Sequence, residues 1–177
     1  LARSHMPVAR MFLLYALPLS LVPPLMIYYA GTTHGGELLP EFTRGQLQSI
    51  GVVFFLVETA MLFLMAMVIR RLGEVIDIKP SYEDAFKLAV MAPTPLWLAP
   101  LAMFIPSFAV NLTVGALAIL AAGTLIYFAV PVIFKIEEKG HAVLLSGTIY
   151  AAGLVAWAVM MYLTLITWSL VTSTLAF

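Results

Sequence analysis

The sequence predicts an all-α, polytopic membrane protein, a bundle of five transmembrane helices with a cytoplasmic N-terminus and an outer C-terminus. Three observations carry that reading. Of the 177 residues, 63% are hydrophobic and 10% charged, with a mean hydropathy of +1.04, whereas about a quarter of the residues of a soluble protein are charged. Five apolar runs approach or exceed the roughly 18 residues that a membrane-crossing helix requires. The basic residues fall overwhelmingly on one side of those runs.

The opening LARSHM lacks an initiator Met, and Leu1 to His5 read either as an expression-vector scar or as the remnant of a longer native N-terminus. Residues 6–177 then form a single membrane domain. The apolar runs are Met11 to Tyr29, Ile50 to Ile69, Leu88 to Ile105, Leu112 to Phe134, and Ala142 to about Leu170. The first is too long and too proline-rich for the apolar region of a signal peptide. The last continues uncharged to Phe177, longer than a bilayer's roughly 30 Å at about 1.5 Å per residue, so it must tilt or fray outside.

Arg10, Arg70, Arg71, Lys79, Lys87, Lys135 and Lys139 share one side, and the other side holds only Arg44. The positive-inside rule makes the first side cytoplasmic. A net charge of +0 and a pI near 7.0 leave no basic stripe to neutralise phosphates, so no nucleic-acid partner is expected. With no cysteine there is no disulfide framework, thiolate metal site or cysteine nucleophile. In the cytoplasmic connection, Ser81 three residues before Asp84 predicts a helix start that leads into the third span. Arg70 lies one turn from Glu74.

Prolines mark two spans. Pro18, Pro23 and Pro24 interrupt the first, and Pro93, Pro95 and Pro100 crowd APTPLWLAP in the third. Each interior proline removes a helical hydrogen bond and clashes with the carbonyl four residues back, at about 3 kcal/mol. These six are the predicted helix kinks, and broken backbone in hydrocarbon must face protein or water rather than lipid. Two readings stay open for them: bundle geometry, and a binding or gating element.

Glu58 stands near the middle of the second run, where an ionisable group costs roughly 2.5–3.5 kcal/mol. Loss of hydration disfavours its charged form, so the expected state is a protonated Glu58 donating to a helix carbonyl, with those of Leu19 and Ser20, freed by Pro23 and Pro24, at matching depth. Ser20, Thr124 and Tyr150 complete the candidate intramembrane polar site by residue count. It reads either as a proton or cation site or as neutral glue between the first two spans. His34, Glu37 and Glu41 occupy a Gly-rich outer loop and read as solvated groups rather than metal ligands. Gly115, Ala118 and Ala122, with Gly147 and Ala151, place small residues at helical spacing for close helix packing, within the monomer or across a dimer face.

The segments YALPLSLVPPLMIYYAG (15–31), KPSYEDAFKLAVMAPTPLWLAPLAMFIP (79–106) and GTLIYFAVPVIFKIEEKG (123–140), in this order and spacing, resemble the Ypt-interacting-protein (Yip) family, especially its compact bacterial inner-membrane branch. The resemblance covers nearly the whole chain and implies a five-span domain with a cytoplasmic N-terminus. Eukaryotic members associate with Rab-type GTPases with the help of a long N-terminal region that has no counterpart in these residues, so the resemblance does not carry Rab binding over. It supplies no catalytic residues and no cofactor. The expected function is therefore a non-enzymatic membrane scaffold or partner-binding protein, with the lipid bilayer, homo-oligomers or other membrane proteins as partners. The alternative is a small transporter or channel that uses Glu58 and the proline-broken helices.

The orientation yields a direct test. A cysteine placed in the 135–141 loop should be protected from a membrane-impermeant thiol reagent in intact cells, and one near Thr174 should label; labelling of the 135–141 loop from outside would reverse the assignment.

Overall fold

A computed structural model describes residues 7–173; Leu1 to His5, and Thr174 with the residues after it, lie outside the described residues. Five helices are long and apolar enough to cross a membrane: Val8–Thr33, Arg44–Val75, Tyr82–Phe104, Phe108–Phe134 and Lys139–Ser173. They correspond one for one to the predicted runs, and all extend beyond them at one or both ends. Hydropathy marks the hydrocarbon-facing stretch, whereas the helices continue into polar turns that have caps.

Those caps are local and specific. The second span starts at Thr43, whose hydroxyl accepts the Gln46 N–H while the Gln46 side chain accepts the Thr43 N–H at 2.7 Å. Gln46 also donates to the carbonyl of Val171 at 3.1 Å, which ties this start to the far end of the fifth span. Ser81 accepts the Asp84 N–H at 3.1 Å and opens Tyr82–Met91, as the sequence predicts. Arg70 and Arg71 both reach Glu74, at 3.2 and 2.9 Å. The fourth span ends at Lys135, which takes a left-handed conformation (φ 53°, ψ 47°).

The first and third spans are built from short segments. The first runs Val8–Met11, a π turn Phe12–Ala16, Leu17–Ser20 and Val22–Thr33; the third runs Tyr82–Met91, Thr94–Leu98 and a 3₁₀ stretch Ala99–Phe104. Pro18, Pro23, Pro95 and Pro100 each fall in the first turn of a new segment, where a missing N–H costs least. Pro24 directly follows Pro23, and Pro93 caps Thr94–Leu98. The π turn precedes Pro18, whose ring excludes the ordinary bond to the carbonyl of Leu14, so a wider turn absorbs the register change.

Hydroxyls complete this backbone. Pro95 strips the carbonyl of Met91 of its helical donor, and the Thr94 hydroxyl supplies a substitute at 2.7 Å. Its single proton committed there, Thr94 accepts from the Tyr15 hydroxyl at 2.7 Å. Tyr15 lies in the π turn, so the two interrupted spans are joined at their irregular points.

The second span is the hub, packed against the first, third and fifth. Toward the Arg70 end, Phe12, Phe63 and Phe86 form a tilted ring ladder with centroids 5.4 and 5.3 Å apart, inside a cluster that also holds Leu62, Ile69, Leu88, Val130 and Ile149. Toward the other end, Ile27, Leu39, Leu47, Ile50 and Phe54 form a second cluster, with Phe42 edge-on to Trp168 at 5.4 Å.

The predicted small-residue contacts are redistributed. Ala118 and Ala122 are buried, but the close approach of the fourth and fifth spans is made by Gly123, where an added Cβ would lie 2.9 Å from the Tyr150 ring. Gly115 and Gly147 have nothing within 4 Å of an added Cβ, and Gly147 and Ala151 are exposed. Helical spacing fixes which small residues share a face; it does not fix which face meets a neighbour.

A pair of substitutions separates the two kinds of glycine. Gly123→Ala should lower thermal stability by about 1–3 kcal/mol through overpacking against Tyr150, whereas Gly115→Ala should leave it unchanged or raise it by up to about 1 kcal/mol through helix propensity. Thermal unfolding of both variants in one detergent checks this; equal behaviour would show that the Tyr150 contact yields freely.

Candidate functional site

Glu58 is the one charged-type side chain among the buried described residues, at 6% exposure. One helical turn separates it from Phe54 on one side and Leu62 on the other, so it occupies the second span between the two packed clusters. The expectation that carbonyls of the first span would partner it is corrected by the structure. Its partner is Trp97, whose indole N–H donates to Glu58 Oε1. Trp97 is 1% exposed and belongs to Thr94–Leu98, the short helix between Pro93 and the 3₁₀ stretch. The proline-rich segment thus delivers a buried donor to the intramembrane acid. The other carboxyl oxygen, Oε2, is buried and has no hydrogen-bond partner.

The remaining candidates divide. Tyr150 crosses from the fifth span to the fourth, its hydroxyl donating to the carbonyl of Ile119 at 3.3 Å, and it shares a cavity wall with Glu58. Ser20 is fully buried but turns back on its own helix, donating to the carbonyl of Leu17 at 3.1 Å. Thr124 is exposed and donates to the carbonyl of Leu120 at 2.9 Å. Neither belongs to a site with Glu58: residue count sets their depth, but helical phase points Thr124 outward, and both hydroxyls are absorbed by carbonyls of the preceding turn. In the loop between the first and second spans Glu37 and Glu41 are exposed, while the ring of His34 is half-buried, edge-on to Tyr29 at 5.8 Å.

Residues of all five spans line a partly open cavity of about 500 Å³. Pro23 and Ile27 come from the first span, Phe54, Glu58 and Met65 from the second, Trp97 and Met103 from the third. Gly115 and Ile119 on the fourth span, with Tyr150, Trp157 and Trp168 on the fifth, also line it. Aliphatic, thioether and aromatic groups predominate, and among the titratable side chains of the described residues only Glu58 and Tyr150 reach it. Pro23, Pro93 and Pro100 line it, so the backbone breaks at these three border this space, whereas Pro18, and Leu14 whose carbonyl it deprives of a donor, are exposed. Sequence reasoning missed Trp97. Its signal was a lone tryptophan inside the proline run at about the depth of Glu58.

A family model described as the Yip1 domain matches residues 1–160, a stretch that includes Glu58, Trp97 and Tyr150 and leaves out Met161, Thr164 and Trp168 at the distal end of the cavity. No curated protein and no solved structure matches the chain.

The pairing of Trp97 with Glu58 predicts a stability order. Glu58→Ala strands a buried indole N–H and should lose about 1–3 kcal/mol, toward the lower end if a substitute partner is found within the membrane. Glu58→Gln keeps a side-chain carbonyl for Trp97 and should stay near wild type. The double variant Glu58→Ala, Trp97→Phe should lose less than the two single losses summed. Thermal unfolding in a common detergent reads all four, and equal stability of the Gln and Ala variants would remove the hydrogen bond as a contributor.

Proposed function

The chain belongs to the Yip1-domain family of integral membrane proteins, and on that premise we propose that it is a non-enzymatic scaffold that binds partner proteins inside the bilayer, in the cytoplasmic membrane of a bacterium. The observation that carries this reading is the state of the fifth span. Lys139–Ser173 is 35 residues long, and only 6% of its most apolar stretch is buried. Within it Gly147 and Ala151, one turn apart, are exposed, and an added Cβ at Gly147 meets nothing within 4 Å. Such small residues let a second helix approach closely and gain van der Waals contact, the main attraction available between helices in lipid. A second copy of the chain or another membrane protein would supply that helix.

A small transporter is the second reading, favoured by the cavity at Glu58. The apolar character of its walls speaks against a path for hydrated ions and in favour of the scaffold. Proton-dependent solute flux in proteoliposomes that is lost in Glu58→Gln would move the assignment to transport.

For the scaffold, a photo-crosslinker at Ala151 should capture a defined membrane partner or a second copy in cells. Gly147→Leu should abolish that product while the variant still folds, and an unchanged crosslink would return this face to lipid.

A further inference from the structure

Two features of the central cavity need a common explanation. Glu58 Oε1 already holds the indole proton of Trp97, yet Oε2 is buried with no partner, although a buried acceptor left unmade is costly. The cavity walls include indole rings at Trp97 and Trp157 and the thioethers of Met61 and Met65, and among the described residues no basic side chain lines the space. An ammonium group matches this environment on three counts. It donates to Oε2, it supplies the counter-charge that a carboxylate requires in hydrocarbon, and it is attracted by indole faces. The volume of about 500 Å³ falls within the roughly 300–1,000 Å³ of small-molecule pockets, so an apolar body attached to that ammonium can be housed among the aliphatic walls.

We infer that the cavity among the five spans is a binding site for a lipophilic amine, whose ammonium group pairs with Glu58 Oε2 and whose apolar body lies along the methionine and tryptophan walls. Glu58 Oε1, held by Trp97, is the fixed side of the carboxyl, and Oε2 is the side that meets the ligand. The inference rests on the cavity and not on the partner-binding face, since Gly147 and Ala151 are no part of its walls.

The test compares dodecylammonium with dodecanol, of equal chain length, by calorimetric titration of the full chain in zwitterionic nanodiscs, with empty nanodiscs subtracted. Dodecylammonium should bind the wild type about tenfold or more tightly than dodecanol, a difference of about 1.4 kcal/mol. Glu58→Gln should bring the two probes to equal affinity with that of dodecanol unchanged. Gly153→Leu, which leaves the carboxyl intact and fills a wall position where an added Cβ meets nothing within 4 Å, should weaken both probes together. Equal affinities in the wild type, a preference for the amine that survives Glu58→Gln, or no saturable binding of dodecylammonium would each overturn the proposal.

Discussion

The hydrogen bond from Trp97 to Glu58 is the constraint around which the bundle is arranged. A carboxyl at mid-span has no water to turn to, and its burial is tolerable only where another element brings a donor. That donor must come from a helix whose path can be bent toward the second span. The third span meets the requirement because it is broken. Thr94–Leu98 is a single short helix between two changes of backbone geometry, and its placement sets the direction of Trp97 independently of Tyr82–Met91. The second span in turn contacts the first, third and fifth, so the segment that holds the acid is also the one on which the others pack.

Broken helices carry a cost that the structure meets with local means. Prolines at the starts of segments forgo bonds that helix starts do not make, the π turn Phe12–Ala16 widens the first span ahead of Pro18, and the Thr94 hydroxyl takes over the carbonyl of Met91. The bond from Tyr15 to Thr94 then couples the two irregular regions. Because each repair lies within the interrupted spans themselves, the breaks are specified by the same short stretches that contain the prolines. The space among the spans is bordered by Pro23, Pro93 and Pro100, all from the two spans that are built of short segments.

How far the sequence discloses this depends on the range of the interaction. Hydropathy identifies each span because a bilayer imposes its length on every helix alike, and the Ser81 cap and the Arg70–Glu74 pair are legible because their partners lie within one turn. The partner of Glu58 was not legible. Its depth follows from counting residues, but the azimuth of Trp97 depends on the turn at Ala92 and Pro93 and on the phase of the five-residue helix after it. The same limit explains Thr124, which has the right height and the wrong face, and the contrast between Gly115 or Gly147, in open space, and Gly123, against Tyr150. A 3.6-residue period relates positions within one helix; only packing relates one helix to another.

The fifth span brings the two functional readings into contact. Tyr150 seats it on Gly123 and bonds to the carbonyl of Ile119, Gln46 holds its far end at Val171, and between these points Gly153, Trp157 and Thr164 face the cavity. Gly147 and Ala151 are exposed and take no part in the cavity walls. One helix therefore forms both a wall of the cavity and the face proposed to meet a partner. A ligand that pressed on Trp157 would act on the stretch of this helix between Tyr150 and Val171, and a partner docked at Gly147 would act on the same helix just beyond the first of these points. Linkage requires that any such coupling be reciprocal, so a ligand proposed for the cavity and a partner proposed for the Gly147 face would be thermodynamically joined to whatever extent the fifth span moves.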